Sequence, residues 1–296
     1  MKSNPIKIKF WGVRGSTPCA NAENMRYGGN TSCVQVEIPG EDALVVFDSG
    51  TGFRNLGNEL QSNGSGHKGR VFITHPHWDH LQGFPFFKPF YDSGNSFRIY
   101  MPPNGDMGCQ EILQGHMSKT FFPVSMDMLE ADINCVTTDP DPIDFGSYKV
   151  EYMWAVHTVP TAIYKLTSGD TKIVFAPDNE IMTGESKDIK EFREEFVEFV
   201  QGADILMHDS QYNSEEYIHR KGWGHSAWEE VIKLAEEAKV RRLCLIHHDP
   251  DKDDDVLDAV NARIQDEHAS KFEHINLAKE GQAISIEPTC PFLDLI

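Results

Sequence analysis

Seven consecutive residues constrain this chain more than any other feature: Thr74-His75-Pro76-His77-Trp78-Asp79-His80 follows directly on the apolar run Val71-Phe72-Ile73. Three imidazoles and a carboxylate in so short a stretch are rarely a set of loose surface residues. In an extended segment residues i and i+2 point the same way, so His75 and His77 reach one point in space. Asp79 and His80 lie beyond the turn and reach a second. The spacing therefore predicts two cation sites side by side.

Further ligand types repeat this placement. His157 closes the alternating run Tyr148, Val150, Tyr152, Trp154, Val156; Asp178 follows Ile173-Val174-Phe175-Ala176-Pro177; His247 follows Leu243-Cys244-Leu245-Ile246. Each is expected at the carboxyl end of a strand. A carboxylate such as Asp178 can give one oxygen to each of two ions, and ions about 3.5 to 4 Å apart can share a hydroxide whose pKa falls towards ~7. The plainer alternatives are a turn role for Asp178 ahead of Asn179 and an ordinary strand-end role for His157. His247 and His248 are adjacent, so alternation sends only one of them to the site.

The 296 residues are globular in composition, with 40% hydrophobic content and no repeat. The flexible-looking stretch 61–69 is too short to separate domains, so one unit over 1–296 is expected. Short apolar strands dominate: Ile6 to Trp11, Cys33 to Ile38, Ala43 to Asp48, Arg70 to Thr74, Phe97 to Met101, Lys172 to Ala176, Asp204 to Met207 and Leu243 to Ile246. A helix over Lys187 to Val200 buries Ile189, Phe192, Phe196, Phe199 and Val200. The capping-box spacing of Ser226 and Glu229 opens another through Lys239, which puts His225 just before a helix N-terminus. Strands followed by helices in both halves predict two sheets face to face with helices outside.

HPHWDH, read with His157, Asp178 and His247, resembles the metallo-β-lactamase superfamily, in an order of parts that spans nearly the whole chain. The resemblance implies an α/β (α+β) fold, the four-layer αββα sandwich. It implies that His75, His77 and His157 hold a first metal, that Asp79, His80 and His247 hold a second, and that Asp178 bridges them. It also makes Asp48, in Phe47-Asp48-Ser49-Gly50-Thr51-Gly52, a buried support beneath the metal loop. Two divalent ions are the implied cofactors, Zn by default, while nitrogen and oxygen donors also admit Mn or Fe. Asp178 stands where β-lactamases of the superfamily commonly carry Cys, and His77 where flavodiiron relatives carry Glu, which argues against both activities.

His208-Asp209-Ser210-Gln211 followed by Gly224-His225-Ser226 resembles the paired loops of tRNase Z and PhnP-like phosphodiesterases. That likeness implies that Asp209 orients His225, which when protonated stabilises charge on the phosphoryl oxygens or protonates a leaving alkoxide, with Asp79 able to accept a proton. The activity expected is a binuclear metal-dependent phosphodiesterase acting on small phosphodiesters or cyclic nucleotides. The alternatives are a lactone or thioester hydrolase, since an activated water attacks carbonyl carbon equally well, and tRNase Z-like RNA processing.

Charge sets the expectation about partners. The sequence carries 46 acidic against 27 basic side chains, a formal charge of -19, and lacks a basic arm, so long nucleic acid is disfavoured and a small molecule expected. A homodimer is an open partner, because many relatives of this subgroup are dimers. The scattered cysteines (Cys19, Cys33, Cys109, Cys135, Cys244, Cys290), the absence of an apolar leader and of any roughly 20-residue apolar span point to a cytoplasmic, membrane-free protein. Arg14 and Arg26 sit in glycine-bearing loops that either clamp phosphate or form tight turns. Phe84, Phe86, Phe87, Phe90, Met117, Phe121, Phe122, Met126 and Met128 roof a pocket, meet a partner or form a satellite core.

Overall fold

Runs of β-branched and aromatic residues punctuated by turn formers become the strands of two sheets, in a computed structural model that describes residues 4–287. The first sheet contains β1 (Ile6–Gly12), β2 (Cys33–Glu37), β3 (Leu44–Phe47), β4 (Lys68–Phe72), β5 (Ser96–Met101) and β6 (Asp132–Thr137). The second contains β7 (Ile143–Asp144), β8 (Lys149–Trp154), β9 (Ala162–Ser168), β10 (Thr171–Ala176), β11 (Ile205–Asp209), β12 (Arg242–Ile246) and β13 (His274–Leu277). The last strand, β14 (Ala283–Ile286), returns to pair with β1, giving the orders β14-β1-β2-β3-β4-β5-β6 and β13-β12-β11-β10-β9-β8-β7. Cys290 lies outside the described residues; the other five cysteines are free thiols.

The inner faces meet in one core where Phe47 stacks on Phe175 at 5.2 Å and on Tyr164 at 5.8 Å between ring centroids. Outside the first sheet lie helices α1 (Gly52–Gln61), α2 (Trp78–Leu81) and α3 (Cys109–His116), over a core of Phe53, Phe84, Phe87, Phe90 and Phe97. Outside the second lie α4 (Lys187–Val200), α5 (Ser214–Ile218), α6 (Trp228–Glu237) and α7 (Asp254–His268). Phe196, Trp228, Val231, Ile232, Leu257 and Ile264 of α4, α6 and α7 face that sheet. The αββα sandwich follows. Among the described residues no helix is long and apolar enough to cross a membrane.

Strand direction positions the site. β3 to β6 run parallel in one sheet, and β10 to β13 in the other, with β8 sharing their direction because it pairs antiparallel to β9 as β9 does to β10. At one rim the Ala162 N–H donates to Thr74 O (3.0 Å) and the Tyr164 hydroxyl to Ile73 O (2.9 Å), locking the exit of β4 to the opposite sheet. The residues following β3, β4, β8, β10 and β12 gather there.

Several local expectations need correcting. Ser226 is not a helix cap: Ala227 occupies that position, and the Ser226 hydroxyl donates to Asn179 O while accepting from the Ile181 N–H. His225 is accordingly three residues ahead of α6, and His157 three residues past the end of β8. Alternation does not separate His247 from His248 either. β12 ends at Ile246, and His247 takes a left-handed backbone with φ +60°. Of the Phe and Met residues between 84 and 130, Phe84, Phe87, Phe90 and Met117 are core, whereas Phe86, Phe121 and Met128 are exposed.

Candidate metal centre

Two clusters of donor atoms share one carboxylate. In the first, His75 Nε2 and His77 Nδ1 are 2.9 Å apart, His157 Nε2 lies 3.2 Å from His77 Nδ1, and Asp178 Oδ2 lies 3.8 Å from His75 Nε2 and 3.6 Å from His157 Nε2. In the second, His80 Nε2 and His247 Nε2 each lie 3.2 Å from Asp79 Oδ2, and 3.1 and 3.2 Å respectively from Asp178 Oδ1. Both sets have the compactness that could hold an ion. All seven residues foreseen as ligands thus converge at one rim, with the two oxygens of Asp178 turned to different groups.

Neighbours set each ring by taking its other nitrogen. The Nδ1–H of His75 meets Thr74 Oγ1 (3.1 Å), that of His80 donates to Asp48 Oδ2 (2.6 Å), that of His157 to Gly224 O (3.1 Å) and that of His247 to Gln211 Oε1 (3.1 Å). With Nδ1 engaged, four Nε2 lone pairs are left for the centre, the arrangement that orients metal-binding histidines. Asp48 is the support it was expected to be: buried, with φ +58°, it accepts from the Thr74 N–H, the Ser32 hydroxyl and His80. Gly15 and Gly224 were not foreseen. A Cβ on Gly15 would lie 2.3 Å from His247 Nδ1 and one on Gly224 2.1 Å from His157 Nδ1, so these rings pack directly on bare backbone.

The donor chemistry fits divalent cations. Burial holds His75 well below the ordinary histidine value, and burial also lowers His77 and His157, leaving neutral imidazoles. Burial alone would raise Asp79 and Asp178, but His80 and His247 overcome it and hold both carboxyls well below their usual range. His80 is driven the other way: burial lowers it, and Asp79, Asp178 and Asp48 together raise it well above the histidine norm. Anionic oxygen thus demands positive charge at this point. His80 Nε2 and Asp178 Oδ1 are buried without a well-formed hydrogen bond to the protein, a costly state for a dry polar pair unless another group completes it.

Beside the second cluster, the His225 Nδ1–H donates to Asp209 Oδ2 at 2.8 Å, with both residues buried. Its ring stacks on His247 at 4.8 Å, and a donor atom of His225 lies within 4.8 Å of Asp178 and His247. Burial lowers the His225 pKa, yet Asp209, with Asp178 and Asp79, lifts it to about 9. His208 stays structural, donating to Asp209 O and accepting from the Asn179 amide. The arginine loops are tight turns here: buried Arg14 is spent on Gly28 O, Asp249 O and Lys252 O, and Arg26 on Asp255 and Asp258.

Residues 44–248 match the family described as the Beta-lactamase superfamily domain. The ribonuclease Z of Pyrococcus furiosus is 24% identical over an alignment covering 83% of this chain and 87% of that protein. The metallo-β-lactamase fold protein YhfI from Bacillus subtilis superposes with a TM-score of 0.68 at 19% identity, covering 95% of this chain and all of that one. A diphosphatase from the PhnP family superposes at 0.66 with 17% identity, covering 97% and 99% of the two chains.

These relatives correct one expectation. A small molecule as sole partner, with long nucleic acid disfavoured, conflicts with a likeness to enzymes named ribonuclease Z over most of the chain. The physical reason is that net charge is a sum over the whole surface, whereas a phosphate feels mainly charges within about 8 Å at physiological salt. Acidic residues crowd α4 and α7, while Arg220 and Lys221 lie on the loop leading to His225. The chain belongs to the β-lactamase superfamily, as a metal-dependent hydrolase whose relatives include ribonuclease Z and whose fold is shared with a PhnP-family diphosphatase.

Proposed function

We propose that the protein is a binuclear phosphodiesterase in which His75, His77 and His157 hold one divalent ion, Asp79, His80 and His247 the other, and Asp178 both. Zn is the default occupant, with Mn or Fe admitted by the same donors. Ions so held would supply Lewis acidity toward a phosphoryl oxygen and lower the pKa of a water to near neutrality. The chain's own residues do the rest. Asp178 keeps the two clusters in register, Asp79 is placed to take up a proton, and Asp48, Thr74, Gly224 and Gln211 fix the imidazoles. His225, held by Asp209 Oδ2 at 2.8 Å, lies within reach of the centre, where that carboxylate favours its protonated form and places it to serve a departing alkoxide.

The observation that carries this reading is the His225–Asp209 pair beside the shared carboxylate. A thiolate departs without a proton whereas an alkoxide needs one, so the pair favours phosphodiesters over thioesters. RNA belongs among the candidate substrates on the strength of the ribonuclease Z relatives. The test is a panel of bis-(p-nitrophenyl) phosphate, cyclic mononucleotides, a tRNA precursor, lactones and thioesters, run with Zn or Mn. Cleavage of the cyclic mononucleotides or the tRNA precursor, whose leaving groups are alkoxides, that drops sharply in His225→Ala supports the assignment; preference for an acyl substrate overturns it.

A further inference from the structure

Among the described residues, four other than glycine take a left-handed backbone: Ser16 (φ +61°), Asp48 (φ +58°), Lys239 (φ +55°) and His247 (φ +60°). Each is held there against a steric cost, so each calls for a reason. Asp48 and His247 belong to the candidate metal centre, and Lys239 sits just past the end of α6, where helices commonly stop in this conformation. Ser16 is left over. It is exposed, and its N–H donates at 2.8 Å to Asp79 Oδ2, the oxygen that His80 and His247 also face.

The loop from Val13 to Thr17 reaches that carboxylate because it is tied to the opposite sheet. It leaves β1 of the first sheet and is joined to the chain just past β12 of the second: the His248 N–H donates to Val13 O and the Gly15 N–H to His248 O, both at 3.0 Å. Arg14, wholly buried, locks the arrangement. Its Nε–H donates to Gly28 O (2.9 Å), one terminal nitrogen donates to Asp249 O (3.2 Å) and Lys252 O (2.8 Å), and the other faces Asp254 Oδ1 at 3.5 Å. Asp254 in turn accepts from the Arg26 N–H (2.6 Å) and the Tyr27 N–H (3.2 Å). A planar guanidinium fork can serve all these oxygens at once, which an ammonium on a flexible stem cannot do in the same geometry. With the loop so fixed, Gly15 is the bare backbone on which the His247 ring packs, and Ser16 presents its N–H to Asp79. Both side chains served belong to the second donor cluster. The first draws its supports from elsewhere, His75 from Thr74 and His157 from Gly224.

We infer that Arg14 is a positioning residue for the second ion: it holds the loop whose Ser16 N–H orients Asp79 and whose Gly15 backs His247. Affinity at this site, and not at the first, then depends on a buried arginine with no hydrogen bond to either ligand. The inference rests on the binuclear reading above and adds to it a support that acts through the main chain. A ligand carboxylate is itself oriented by hydrogen bonds, and losing such an outer partner costs about 10- to 100-fold in metal affinity.

The test is the binding of Zn to metal-stripped protein in competition with a chromophoric chelator, which needs no turnover. His80→Ala, with only the first cluster intact, supplies the reference constant for that site. Arg14→Lys keeps the charge opposite Asp254 but not the fork; it is expected to retain the reference constant and to bind the second ion about 10- to 100-fold more weakly. Variants at Ser16 leave the core alone, because this residue is exposed. Ser16→Pro loses the N–H and cannot take φ +61°, whereas Ser16→Gly keeps the one and is at ease with the other. Ser16→Gly should therefore hold the second ion at least about ten-fold more tightly than Ser16→Pro. Melting of the metal-free proteins separates this from a merely structural role, in which both constants weaken together with stability. Unchanged constants in Arg14→Lys, equal weakening at the two sites, or equal binding of the second ion by the two Ser16 variants overturns the inference while leaving the binuclear reading intact. Where Arg14→Lys does not fold, the Ser16 pair decides alone. Native protein that binds one ion or none strikes the binuclear reading itself, and the inference with it.

Discussion

The second cluster depends on one hydrogen bond at residue scale. Asp48 Oδ2 receives the His80 Nδ1–H at 2.6 Å, so Asp48→Asn removes the charge that fixes this ring while leaving its volume. Metal affinity is expected to fall about 10- to 100-fold, measured by competition with a chromophoric chelator. His225 makes a different prediction. His225→Ala should keep its metal and lose about 10² to 10⁴ in phosphodiester turnover, the span of general-acid contributions. In metal-free protein its imidazole should titrate at about 9, followed by NMR. Because the folded value lies above the ordinary 6.5, this group's stabilisation is fully present below about pH 6.5 and is lost as pH rises through about 9. Asp209→Asn should bring the midpoint down, since Asp209 is the largest of the groups raising it.

Among the elements, the loop from Tyr217 to Ser226 is held by buried Glu180, which accepts from the Gly222 and Gly224 N–H groups and the Tyr217 hydroxyl. Gly224, with φ +86° and the His157 ring where a Cβ would stand, cannot take a side chain without moving its neighbour. Gly224→Ala should cost about 1–2 kcal/mol for the left-handed backbone alone and displace His157, seen as lower melting temperature and weaker occupancy of the first cluster. The sequence made legible the elements whose signal is local. Helix α4 has the bounds its apolar stripe predicts, and the strands leading to Asp178 and His247 begin within a residue of where their apolar runs place them, while the one leading to His75 runs two residues earlier than Arg70 to Thr74, over Lys68–Phe72. Elements without a deep face went unread. The alternating burial of edge strand β6 includes no fully buried residue, and α7 buries only Asp254, Leu257 and Ile264 of its fifteen. The candidate ligands were readable because their residue types are rare in such spacing. Gly15, Gly224, Thr74 and Gln211 were not, because a support is defined by a contact far along the chain, such as the one between His157 and Gly224.

For the whole molecule, the two sheets each supply part of the candidate centre, β4 delivering the histidine loop from one and β8, β10 and β12 the remaining candidate ligands from the other. Ions held as proposed would join the two halves of the sandwich, and stability should then depend on them. Saturation at about 1,000 times the dissociation constant adds about 4 kcal/mol, so chelation should lower the melting temperature by several degrees and resupply restore it. The placement of charge, rather than its total, governs which polyanions approach a surface. The central claim is a pair of ions joined through Asp178, and elemental analysis by mass spectrometry tests it most directly. Protein stripped, resupplied with Zn or Mn and desalted should retain about two ions per chain, with Asp178→Ala losing most of both. Retention of none by the native chain, or of an undiminished pair by Asp178→Ala, would contradict it.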